Sequence, residues 1–147
     1  MMVDLVDDAK MFGVSAKFRG VCSALRVLVS GGEPDGFQKN DLKWAGEMFC
    51  TMDWKCSDYE SSSGRTDSGM VVLATKVRPK FYSALESVKF PHPYSPDIDF
   101  RDRFYRTLEL GGDLVLVSDA ELEWGVRFVD RLSVALYHLG GYSSSVE

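Results

Sequence analysis

Behind Ser118-Asp119-Ala120-Glu121, the apolar residues Leu122, Val126, Val129, Leu132, Leu136 and Leu139 recur at steps of three and four until Gly140-Gly141. That period puts them on one stripe of an α-helix, whereas a strand would scatter them over both faces. The four residues in front form a capping box, in which Ser118 and Glu121 satisfy each other's otherwise orphaned amides. A helix with such a stripe must bury it against neighbours, so this segment alone commits the chain to helix packing.

The same period recurs upstream. Val3, Val6, Met11 and Phe12 predict a short first helix ending at Gly13. Ser15 would cap a second, with Phe18, Val21, Cys22, Leu25, Leu28 and Val29 on its apolar face, stopped by Gly31-Gly32 and Pro34. Asn40 or Asp41 would cap a third, carrying Leu42, Ala45, Met48, Phe49 and Met52. Residues 55–68 are polar and read as a loop. The run Met70-Val71-Val72-Leu73-Ala74 is ambiguous by period; as a helix it would be buried and would continue or restart beyond Pro79 through Phe81, Tyr82, Leu85 and Val88. Residues 91–96 form a Pro-rich connector. A helix from Pro96-Asp97 then carries Ile98, Phe100, Phe104, Tyr105 and Leu108 to Gly111-Gly112, and residues 113–117 fit a short strand. The expectation is a single all-α domain over residues 1–147, a compact helical bundle of six to seven helices around a buried central helix.

Composition narrows the function classes. A length of 147 residues with 45% hydrophobic and 27% charged residues describes one globular domain with a sizeable core. Seventeen basic against twenty-two acidic residues leave a net charge of −5, which argues against a broad nucleic-acid footprint. No apolar run approaches the roughly 18 residues of a membrane span, and MMVDLVDDAK has acids where a secretory signal has bases. Cys22, Cys50 and Cys56 form no CxxC pair and have only His92 and His138 beside them, so no zinc spacing can be written. Free thiols fit a reducing setting, the cytoplasm or the nucleus. No metal and no cofactor are expected. Glu121 is explained by the capping box, and Phe100-Arg101-Asp102-Arg103-Phe104-Tyr105-Arg106 reads as a solvated, salt-bridged helix face.

Gly64-Arg65-Thr66-Asp67-Ser68-Gly69 resembles the G-R-T-D-x-G signature of the TruA-type tRNA pseudouridine synthases. The resemblance implies a catalytic Asp67, with Arg65 beside it, acting on a flipped-out uridine. In that family a sheet strand follows the signature. The alternative for these residues is a polar turn in which Asp67 or Ser68 caps the next helix.

A second resemblance rests on the order of features. Val21-Cys22-Ser23-Ala24-Leu25-Arg26 resembles the V-x-x-A-L-R core of the third homology motif of the Bcl-2 family. Asp67-Ser68-Gly69-Met70-Val71-Val72 resembles the first motif, with Ser68 and Met70 at its tryptophan and arginine positions. Trp124, Phe128, Val129 and Leu132 resemble the second, with one extra residue after the tryptophan. Such divergence is similar to that of viral members. The resemblance implies a non-enzymatic apoptosis inhibitor, in the host cytosol if viral and without a tail anchor, that sequesters pro-apoptotic helix-bearing proteins. Its groove would be lined by Leu25, Leu28, Val29, Met48, Phe49, Met52, Arg65, Asp67, Gly69 and Val72, with Arg65 or Arg78 replacing the missing arginine. A second copy of the chain, giving a homodimer, is an alternative occupant of an exposed apolar groove. Residue by residue, the competing reading of Leu, Val and Met here is ordinary core.

Overall fold

The computed structural model describes residues 2–53, 68–88, 98–113 and 118–145, with side chains for 13–53, 73–88, 100–113 and 118–138. Among the described residues there are five helices and no strand: α1 (Met2–Val29), α2 (Gly36–Met52), α3 (Ser68–Ser87), α4 (Ile98–Glu109) and α5 (Asp119–Ser145). The all-helical class is as expected. The expected strand at residues 113–117 and the polar loop at 55–68 fall almost wholly outside the described residues.

Helix starts follow local chemistry. At α5 the Ser118 amide donates to Glu121 Oε1 at 3.0 Å, and the Glu121 amide donates to Ser118 Oγ at 3.3 Å. At α2 the start lies earlier than Asn40 or Asp41. Asp35 Oδ1 accepts the Gln38 amide at 2.8 Å while Gln38 Oε1 accepts the Asp35 amide at 2.9 Å. Reciprocal satisfaction of two amides outcompetes a lone side-chain acceptor one turn later.

Helix stops separate two kinds of glycine. Gly31 (φ +87°) and Gly111 (φ +73°) adopt the left-handed region that a Cβ disfavours. Each is followed by a reversing pair of hydrogen bonds: Gly31 N to Leu28 O and Gly32 N to Val27 O, then Gly111 N to Leu108 O and Gly112 N to Thr107 O. These end α1 and α4 where expected. Gly13 and Gly140-Gly141 do not stop their helices. The first two expected helices are one, α1, which passes through Gly13, and α5 runs on to Ser145. A helical glycine costs only about 1 kcal/mol relative to alanine, less than the burial of Val14 and Phe18 just beyond Gly13 contributes. Ser15 is therefore buried mid-helix rather than a cap.

α1 and α5 form the most extensive pair and run antiparallel, with Arg19 over Tyr137 at one end and Arg26 beside Asp130 further along. α2 lies antiparallel to α4 and also packs on α1 and α3, while α3 packs on α5. The helix expected to be central and buried is amphipathic over its described residues. Ala74, Val77, Phe81, Ala84 and Val88 face inward, while Thr75, Lys76, Pro79, Lys80, Ser83 and Glu86 are exposed. Pro79 sits inside α3 on this exposed outer face, where its missing N–H removes one helical hydrogen bond without leaving a buried group unpaired. Among the described residues α2 packs mainly on α1, α3 and α4 and also reaches α5 through Phe49, whose ring lies 5.4–5.6 Å from those of Phe18, Phe81, Tyr105 and Phe128.

The α2–α4 approach depends on Gly46. A Cβ there would meet the Glu109 nitrogen at 2.7 Å and the Tyr105 oxygen at 2.9 Å, backbone atoms that cannot swing aside. Gly46→Ala should therefore cost about 1–3 kcal/mol in a urea titration, even though alanine is the better helix former. A stabilised variant would contradict this close approach.

Candidate functional site

Turning inward, α1 buries Val21, Cys22 and Leu25, and α5 buries Trp124, Phe128 and Val129. The helical period then leaves Arg26, Val29 and Ser30 on the edge of α1, and Glu123, Val126 and Arg127 on the facing edge of α5. These six residues line an open cleft of about 420 Å³ at the end of α1. The lining combines the apolar Val29 and Val126 with the polar Arg26, Ser30, Glu123 and Arg127. Arg26 Nη2 lies 3.8 Å from Asp130 Oδ1, with both side chains more than half exposed. Neither Arg127 nor Glu123 has a hydrogen-bond or ion-pair partner among the described residues.

Below the cleft, the Cys22 thiol points at the Val126 carbonyl (3.7 Å) and Asp130 Oδ1 (3.9 Å). Burial pushes this thiol up from 9.0 to about 11. Arg26 opposes the shift, while the charge of Asp130 and its hydrogen bond add to it. Such a thiol is held protonated, the reverse of an activated nucleophile. The folded chain thus keeps a proton that the unfolded chain releases first, so this contribution to stability is complete below about pH 9 and is lost as pH rises towards 11. Denaturation midpoints should fall more steeply over that range in the parent chain than in Cys22→Ala. Identical slopes would contradict it.

Of the expected groove residues, Leu25, Met48, Phe49 and Met52 are fully buried and belong to the core. Leu28 and Val29 are half-buried, Leu28 against Gly112 and Val29 on the cleft. Gly69 and Val72 lie in the first turns of α3, and Arg65 and Asp67 lie outside the described residues. Of the six expected groove residues with described side chains, the structure thus brings Val29 alone to the cleft, and adds Arg26, Ser30, Glu123, Val126 and Arg127. In sequence Val126 belongs to the apolar stripe of the last helix and Arg26 to the third-motif resemblance, and neither reading marks a cleft. α3 begins at Ser68, immediately after Asp67, so a helix stands where a synthase would place a strand.

Arg78, the other candidate replacement arginine, donates to the Thr51 carbonyl at 3.2 Å, and Tyr82 donates to the Met52 carbonyl at 2.8 Å. Both satisfy orphan carbonyls at the end of α2. Two arginines of the expected salt-bridged face on α4 pair with nearly buried carboxylates of other parts of the chain. Arg101 reaches Asp53 at 3.7 Å and Arg103 reaches Glu121 at 3.3 Å, and both carboxylates are less than one-tenth exposed. These pairs tie α4 to the end of α2 and the start of α5. Among the described residues no three His, Cys, Asp or Glu side chains converge on a metal position, and no helix is long and apolar enough to cross a membrane. No family model, curated protein or solved structure matches the chain.

Proposed function

We infer that this chain is a divergent Bcl-2-like protein that blocks apoptosis by sequestering pro-apoptotic amphipathic helices, acting in the cytosol by binding alone. One observation supports the reading: segments that resemble three homology motifs, far apart in sequence, lie on adjoining helices. Residues 21–26 are on α1, 68–72 open α3, and 124–132 are on α5, which packs on both α1 and α3. A captured helix would present apolar residues at i, i+3/i+4 and i+7 to the half-buried Leu28 and Val29. Leu25, Met48, Phe49 and Met52 would join the contact once α2 moves away from α1, which slows association relative to docking on an open groove.

Calorimetric titration with a panel of pro-apoptotic helix peptides should find at least one sub-micromolar ligand. Val29→Glu should weaken that ligand by about tenfold or more, a loss typical of a charge placed in an interface core, with the melting temperature unchanged. Failure of every peptide to bind overturns the reading.

A further inference from the structure

We propose that the outer face of α5, with the flanking edges of α1 and α3, is a docking surface for an acidic peptide segment of another protein. The register of three helices builds this face. Cys22 of α1 touches Val126, Phe81 of α3 touches Phe128, and the helical period sets those two positions on opposite sides of α5. Between them α5 presents Arg127, Asp130, Arg131, Val134 and Tyr137, all exposed. On the α1 side Arg19 lies 4.6 Å over the Tyr137 ring and Arg26 stands beside Asp130. On α3, Arg78 and Tyr82 reach the end of α2, so the exposed Lys80 falls on the opposite edge, beside α5.

Charge picks the occupant. Arg19, Arg26, Lys80, Arg127 and Arg131 stand against Asp130 and Glu123, five bases to two acids, a local +3 on a chain whose total is −5. Lys80, Arg127 and Arg131 have no ion-pair or hydrogen-bond partner among the described residues, and the Arg26–Asp130 contact is long and exposed. Four of the five bases are guanidiniums, forked donors that match carboxylates. Val134, 48% exposed, lies among them and offers apolar contact to a side chain between the acids. A lipid surface or a nucleic acid would set anions against the whole face, Asp130 and Glu123 included, and each such apposition is repulsive. A peptide spaces its carboxylates and can leave those two acids to solvent. The fitting partner is therefore a segment with several Asp or Glu around an apolar residue.

The probe is a short fluorescein-labelled peptide with glutamates on both sides of a Leu-Leu pair, followed by fluorescence anisotropy. Its Glu→Gln counterpart is the neutral control, and phosphatidylserine vesicles and a short DNA duplex are the competing anions. The glutamate peptide should bind saturably and weaken severalfold as salt is raised. Arg127→Glu combined with Arg131→Glu should weaken it by about tenfold or more. Lys39→Glu with Lys43→Glu, an equal change of charge on α2, should leave it within about twofold. All four side chains lie at the surface, and an unchanged melting temperature verifies the fold of each variant. Equal binding of the glutamine peptide, equal loss from the α2 pair, or a preference for vesicles or DNA overturns the proposal. Pro-apoptotic helix capture is titrated with its own peptides, so its failure leaves this surface standing, and the reverse also holds.

Discussion

Trp124→Ala should lower the unfolding free energy by about 3–5 kcal/mol, among the largest losses a single substitution can cause here. The indole is 1% exposed and sits where three helices meet. It stacks on Phe128 at 5.4 Å and meets Phe100 and Phe104 edge-on at 5.2 and 5.9 Å. Its Nε1–H donates to the Val88 carbonyl at 3.3 Å, at the end of α3. Truncation opens a cavity between α4 and α5 and leaves that carbonyl without this donor. In a chain of this length each kcal/mol moves the melting temperature by roughly 2–4 °C, so a fall of about 10 °C is expected by calorimetry. Trp124→Phe keeps most of the packing and loses the hydrogen bond, and should cost about 1–2 kcal/mol. Near-wild-type stability of the alanine variant would mean that α3, α4 and α5 do not converge on this side chain.

Phe49→Ala should cost a comparable 3–5 kcal/mol for a different reason. Its ring is fully buried and touches aromatic rings of α1 (Phe18), α3 (Phe81), α4 (Tyr105) and α5 (Phe128). Each centroid distance lies in the range where aromatic pairs add about 0.5–1.5 kcal/mol beyond their area. Because the rings of Phe49 and Trp124 both rest on Phe128, the two losses should not add. The double variant should depart from the sum by about 0.5 kcal/mol or more, as residues coupled through a shared neighbour do. Strict additivity in a urea-denaturation cycle would show that the two ring clusters are independent.

The elements legible in sequence are those governed by neighbours within one helical turn. The capping box at Ser118, the glycine stops after Val29 and Glu109, and the inward stripes of α1, α2 and α5 are read from spacing because their causes are local backbone chemistry and the 3.6 period. The misreadings come from the same locality. Gly13 looks like a stop and Ser15 like a cap until the burial of Val14 and Phe18 outweighs one glycine. Residues 100–106 read as a salt-bridged face, but no spacing within α4 tells that Arg101 and Arg103 pair with Asp53, just past the end of α2, and with Glu121 on α5.

By itself, then, the sequence determined the helical class of the described residues, most of their inward faces and the chemistry of several helix ends, since helix formation and capping are short-range. Which helix became the hub was left to the tertiary structure. That role passed from the apolar run of α3 to α2, because Gly46 lets α4 approach and Phe49 can touch four helices at once. The cleft had the same origin. Arg26 and Arg127 acquire a common apolar floor only when the end of α1 and the start of α5 are laid side by side, and no spacing within either helix encodes that meeting.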